Sequence, residues 1–185
     1  MISQKKAWSD SDNSGVVPIS DSIRNRRSIR RFDPTKPVMR EQLEKLLEAA
    51  MLAPSACNSR PWEFIAVTKR EALDEIVKIH SAAGMCKTAP AAIIVVAIPQ
   101  KGMSEGFYPQ DCSAATQNIL LQAVGMGLGT CWCGVYPDDD RIASFRELFD
   151  ISPDKIPFNV IAIGTPNEFP KARGFFDAEK VSYIE

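Results

Sequence analysis

Apolar residues recur three and four apart from residue 39 to 52, at Met39, Leu43, Leu46, Leu47, Ala50 and Met51. That spacing predicts an amphipathic helix. Ala53-Pro54 ends it, because the residue before a proline disfavours helical geometry. Residues 55–61 are small and polar and read as a loop, whereas 62–68 (WEFIAVT) alternates and reads as a strand. A helix over 71–79 turns Leu73, Ile76 and Val77 inward. The unbroken apolar run 91–98 (AAIIVVAI) has strand length and is expected at the centre of a sheet, covered on both faces. The longest helix spans about 111–126 and is apolar on most sides, so it must be buried in its own domain or in a subunit interface. A strand over 130–136, a helix over 138–149 and a second central strand over 158–164 (FNVIAIG) follow. A short helix carrying Ile23, capped by Ser20 or Asp21, comes before them all. Helices and strands mix without regular alternation, which gives an α+β fold class. Residues 1–19 are polar and lack the apolar segment of a secretory signal, so they read as a flexible N-terminal tail. Residues 20–185 have the length of one domain. The segment 167–185, with Phe175, Phe176, Val181, Tyr183 and Ile184, is too aromatic for a disordered end and is expected to dock on its own domain or on a partner subunit.

Charge adds a second signal. Arg24, Arg26, Arg27, Arg30 and Arg31 fall within eight residues, in a chain with 22 Lys+Arg against 23 Asp+Glu. Without those five, 17 basic residues face 23 acidic ones, so the remainder is net acidic. A local cation cluster on such a background suits one small, strongly charged anion such as a phosphate, which the planar donor fork of arginine matches in pairs. By itself the segment could also be a solvated helix face or a nucleic-acid patch. The acidic remainder and the lack of a nucleic-acid-binding motif count against nucleic acid. No apolar run approaches the roughly 18 residues needed to span a bilayer.

Candidate nucleophiles and metal ligands are few. Cys57, Cys86, Cys112, Cys131 and Cys133 are odd in number and lack framework spacing, which suggests reduced thiols and a cytoplasmic location. Cys131 and Cys133 form a C-x-C without a second pair, and His80 is the only histidine, so no metal site is expected. No serine or cysteine motif surrounds His80, which reads as a structural histidine.

Four segments in order then resemble the nitroreductase family of FMN-dependent oxidoreductases. They are Arg26-Arg27-Ser28-Ile29-Arg30-Arg31-Phe32-Asp33, the loop from Ala53-Pro54 to Pro61-Trp62, the run Gly125-Met126-Gly127-Leu128-Gly129-Thr130-Cys131-Trp132-Cys133-Gly134, and Lys171-Ala172-Arg173. The resemblance covers about residues 20–185. It implies a central, mostly antiparallel sheet flanked by helices, and an intertwined homodimer with shared active sites. It also implies FMN as cofactor, NADH or NADPH as donor, and a small-molecule acceptor, a nitroaromatic or quinone, reduced in a ping-pong cycle. Other flavin chemistry on the same fold, such as reductive dehalogenation or flavin fragmentation, and a non-catalytic flavin-binding protein are the alternatives. By the resemblance, Arg26, Arg27 and Ser28 hold the phosphate and ribityl chain together with Lys171 and Arg173, and Arg30 reaches the N1/C2 edge of the isoalloxazine. Pro54, Ser55, Ala56 and Asn58 come from the other subunit. Cys131, Trp132, Cys133 and Gly134 lie along the flavin, with backbone N–H groups of Cys133 and Gly134 directed at N5 and O4. Lys87 stands where some relatives place a cofactor contact. Ala56 replaces a frequent serine and Arg60 a common glutamine. No residue is required as general acid or base, since the cofactor carries the chemistry.

Overall fold

The computed structural model describes residues 19–171 and 173–185. The expected flexible tail thus lies outside the described residues, apart from residue 19. Helix α1 (Ile19–Asn25) starts one or two residues earlier than the expected cap, so Ser20 and Asp21 lie inside it. Its Ser22 is buried and its Ile23 faces outward, and the helix packs on the longest helix. Helix α2 (Arg40–Met51) buries Leu43, Leu46 and Ala50 at the expected spacing. Its first turn is closed by Gln42, whose Oε1 accepts the Met39 N–H at 2.9 Å. Strand β1 (Trp62–Val67), helix α3 (Arg70–Ile79) and strand β2 (Ala91–Ala97) follow, then helix α4 (Tyr108–Gly125), strand β3 (Gly129–Gly134), helix α5 (Asp139–Phe149) and strand β4 (Ile156–Gly164).

The four strands form one antiparallel sheet in the order β1-β2-β4-β3. The two unbroken apolar runs therefore occupy its centre. Every residue of β2 is buried, as is every residue of β4 after Ile156, because helices cover both faces. Helices α2 and α4 pack on one face, over Ile93, Val95, Ile161 and Ile163. Helices α3 and α5 and the turn Ser81–Lys87 cover the other, over Ile94, Val96, Val160 and Ala162. Alternation along the strands divides the side chains between the two cores. Helix α4 meets its expected need for burial within this chain along one stripe, with Cys112, Ala115, Ile119 and Ala123 fully buried, while Ala114, Leu121 and Val124 stay half-buried.

The segment after β4 divides in two. Residues 165–171 lie against residues 27–33, through Asp33 N–H to Thr165 O at 2.9 Å and Asn167 N–H to Arg31 O at 2.8 Å. From Gly174 on, by contrast, the chain stands away from its own core, with Phe175 at 85% exposure, Phe176 at 74% and Tyr183 at 77%.

Candidate active site

The arginine segment runs beside the outer edge of β3. Ser28 forms a parallel bridge with Thr130, and the Ile29 N–H donates to Thr130 O at 2.8 Å. Ile29 and Phe32 plug into the core and anchor the segment, which leaves the arginines between and around them at the surface. Gly129 lets this approach happen, since a Cβ there would sit 2.9 Å from Ile29 Cγ1. Among the described residues, no carboxylate lies within salt-bridge distance of Arg24, Arg26, Arg27, Arg30 or Arg31. Five guanidiniums without a carboxylate partner among the described residues keep donors available to an external anion.

The tail completes the cluster. Arg27 Nε donates to the Lys171 carbonyl at 3.3 Å, and its Nη1 to the Arg26 carbonyl at 2.5 Å. Lys171 is thus beside Arg27 although 144 positions separate them in sequence. Arg173 follows, exposed, while Ala172 lies outside the described residues.

Strand β3 presents its free edge to the same region. Thr130 O points outward to Ile29, so by strand alternation the main-chain groups of Trp132 and Gly134 face that edge as well. The side chains do not line it. Cys131 and Cys133 are buried in the core beneath the arginines, and Trp132 tilts against Phe158 at 6.3 Å on the opposite face. The Cys133 thiol lies 3.4 Å from Ala82 O and 3.6 Å from Met85 Sδ. Its proximity lowers the pKa of Cys131, aided by Arg30 and Arg26 against the effect of burial, while that of Cys133 rises.

A cleft of about 710 Å³ opens next to this edge, lined by Arg30, Arg31, Phe32, Ser81, Lys87 and Thr88, among others. Arg31, exposed to solvent, is part of the cleft. The turn Ser81–Lys87 was not foreseen in the sequence, being too short for periodicity to reveal. Its Lys87 does line the cleft with Arg30. His80, just before the turn, is 2% exposed and sits edge-on to Phe145. Burial and the neighbouring Arg141 guanidinium hold its pKa below the ordinary histidine value.

The loop holding Pro54, Ser55, Ala56 and Asn58 is elsewhere. It leads into β1, and two strands separate β1 from β3, on the order of 14 Å at ordinary strand spacing. The loop is tightly built. Cys57, Asn58 and Arg60 all have left-handed φ near 50°, a conformation that costs non-glycine residues roughly 1–2 kcal/mol each. Besides its main-chain turns, three hydrogen bonds to side chains hold it: Ala56 N–H to Asp111 Oδ1 at 3.0 Å, Arg60 N–H to Ser55 Oγ at 2.9 Å, and Arg60 Nε to Asn58 Oδ1 at 3.2 Å. Asp111, a buried carboxylate at the start of α4, was not singled out by its sequence context.

FMN suits the residues that do come together. Its phosphate carries up to two charges, and the unmatched guanidiniums of Arg26 and Arg27, with Lys171 alongside, offer the donors such a group requires. No group of three or more His, Cys, Asp or Glu among the described residues is arranged to hold a metal ion, and no helix among them is long and apolar enough to cross a membrane.

Comparison with known proteins agrees with this architecture. The profile of the nitroreductase family matches residues 23–97 and 81–165. A relative from Methanothermobacter thermautotrophicus, provisionally named a NADH dehydrogenase/NAD(P)H nitroreductase, is 45% identical over 165 residues, covering 89% of this chain and 86% of its own length. The crystal structure of a protein from Clostridium acetobutylicum, provisionally named a NADH oxidase, superposes with a TM-score of 0.84 at 41% identity, over 89% of this chain and 99% of that one. An FMN-dependent nitroreductase from Clostridium difficile R20291 gives 0.80 at 33% identity, over 89% of this chain and 98% of its own. An α+β fold around an antiparallel sheet, an anion-ready edge at β3 and these matches along nearly the whole chain lead to one assignment: the chain belongs to the nitroreductase family and is an oxidoreductase.

Proposed function

We propose that the protein binds FMN and uses NADH or NADPH to reduce small-molecule acceptors such as quinones and nitroaromatics, working as a homodimer with two shared sites. The observation that carries this reading is the group of unmatched arginines beside the free edge of β3, joined there by Lys171. FMN, when bound, supplies hydride chemistry, accepting from the reduced nicotinamide and giving to the acceptor that replaces it.

The chain's own residues would bind and orient. Arg26, Arg27, Ser28, Lys171 and Arg173 hold the phosphate and ribityl chain. Arg30, with Lys87 across the cleft, faces the isoalloxazine edge where negative charge builds on reduction, and a fixed cation stabilises that charge. Gly134 would offer its main-chain N–H and, lacking a side chain, allow close approach. Cys131, Trp132 and Cys133 form the strand behind it, with side chains committed to packing. No residue is assigned as general acid or base, and the buried His80 is unsuited to the role.

Pro54, Ser55, Ala56 and Asn58 would close over the flavin of a second copy. The separation of β1 from β3 supports this, since it leaves the loop and the arginines of one chain at opposite edges of the sheet. The exposed Phe175, Phe176 and Tyr183 fit the same reading as a surface that a second copy covers. Five unpaired thiols fit a reducing compartment, and we place the protein in the cytoplasm.

The test is an anaerobic titration of purified protein with NADH and then NADPH, after mass spectrometry of the heat-released cofactor. The expected result is about one FMN per chain, bleached by one or both nucleotides and reoxidised by a quinone. Release of FAD, or no flavin even after reconstitution, overturns the proposal.

A further inference from the structure

The tail that brings Lys171 to the arginines also brings in a negative charge. Glu168 is the only acidic residue between Asp154 and Asp177. It is half-buried, and its Oε1 accepts the Arg30 main-chain N–H at 2.5 Å. Residues 31 and 33 pair with 167 and 165 through backbone bonds, whereas the Arg30 N–H meets no main-chain carbonyl among the described residues. The Glu168 carboxylate takes the place of a strand carbonyl for it.

That carboxylate is also an electrostatic feature of the site. It lies close enough to Cys131 to oppose the influence of Arg30 and Arg26 on that thiol. Yet no guanidinium of the cluster comes within salt-bridge distance of it among the described residues. A negative charge therefore stands inside a site built for an anion, without being neutralised by a direct ion pair.

We propose that Glu168 is a positioning residue of the flavin site with two opposed effects: its oxygen fixes the main chain from which the Arg30 side chain projects, and its charge holds down the affinity for the phosphate-bearing cofactor. The inference rests on the FMN reading above and names the residue that tunes it. The two effects separate by substitution. Glu168→Gln keeps an acceptor and removes the charge, whereas Glu168→Ala removes both.

The experiment strips flavin from wild type and both variants, records each melting temperature, and titrates each with FMN while following the quenching of flavin fluorescence. Glu168→Gln should bind FMN about tenfold more tightly than wild type, since a like charge in a partly solvated site weakens anion binding on that order. Glu168→Ala should bind at least about tenfold more weakly than Glu168→Gln, as expected when a shielded N–H loses its acceptor. It should also melt lower than Glu168→Gln without flavin. Equal or weaker binding by Glu168→Gln than by wild type overturns the charge effect. Equal behaviour of the two variants, in both binding and melting, overturns the positioning role. If wild type binds no FMN at all, the cofactor reading fails. The flavin-free melting temperatures still decide whether Glu168 anchors the segment.

Discussion

Two glycines of β3, replaced one at a time by alanine, should separate the needs of the flavin from those of the fold. At Gly134 a new Cβ meets only the Tyr136 carbonyl oxygen at 3.6 Å, an ordinary contact, and its φ lies outside the left-handed region. The flavin-free protein should therefore tolerate Gly134→Ala within about 0.5 kcal/mol. If the cofactor approaches this open strand edge as proposed, the methyl narrows that approach, and an overpacked contact of about 1–3 kcal/mol weakens FMN binding roughly five- to 150-fold. Gly129 is the converse case. Its Cβ would lie 2.9 Å from Ile29 Cγ1 and 3.0 Å from Ile29 Cβ, and Ile29 is fully buried with its N–H bonded to Thr130 O. No flexible side-chain end can swing away, so the arginine segment itself must shift. The cost is again about 1–3 kcal/mol, now in stability, which lowers the melting temperature of a chain this size by roughly 2–12 °C. FMN affinity should fall with it, because Ser28 and Arg30 flank Ile29. Differential scanning fluorimetry of flavin-free protein and a fluorescence titration with FMN read the two effects. The reasoning fails if Gly134→Ala loses as much stability as Gly129→Ala, or if it binds FMN as wild type does.

Arg30→Met should lower the flavin midpoint potential by about 30 mV for each 1.4 kcal/mol of lost stabilisation, with FMN still bound; an unchanged potential in spectroelectrochemistry removes Arg30 from the isoalloxazine. Arg26→Ala/Arg30→Ala and a variant with Pro54, Ser55 and Asn58 replaced should each be defective alone, yet isolated heterodimers of the two should recover one flavin and turnover at about one of two sites. Recovery of nothing would put cluster and loop in the same chain's site. Burial holds His80 neutral and its pKa below the ordinary histidine value of about 6.5, so the unfolded chain gains a proton through that pH before the folded one does. Stability contributed by His80 is thus fully present above that pH and lost as pH falls below it. The melting temperature of His80→Leu should accordingly fall less between pH 7.5 and 5.0 than that of wild type, and an equal fall refutes the assignment.

Much of the fold was legible because its signals are local. The three-and-four spacing of Leu43, Leu46 and Ala50 produced α2 nearly to its boundaries, and the apolar runs produced β2 and β4 as central strands. The start of α1 was misplaced by one or two residues because either Ser20 or Asp21 satisfies the capping preference equally well. The turn Ser81–Lys87 gave no periodic signal, so its part in the cleft could not be seen beforehand. Glu168 and Asp111 passed unnoticed because each depends on a partner distant in sequence.

The sequence by itself determined the kinds of element, the two strands that would be covered on both faces, and a dense local cluster of arginines. These follow from side-chain periodicity and from charge density along a short stretch, which no distant contact can alter. The tertiary structure alone decided the strand order β1-β2-β4-β3. That order leaves β3 at an edge, where Ser28 and Ile29 can join it and Lys171 can reach Arg27, and it puts the Pro54–Asn58 loop at the opposite side of the sheet. The physical reason is that strand pairing is settled by which buried faces fit together across the whole chain, and neighbours in sequence carry no record of that choice.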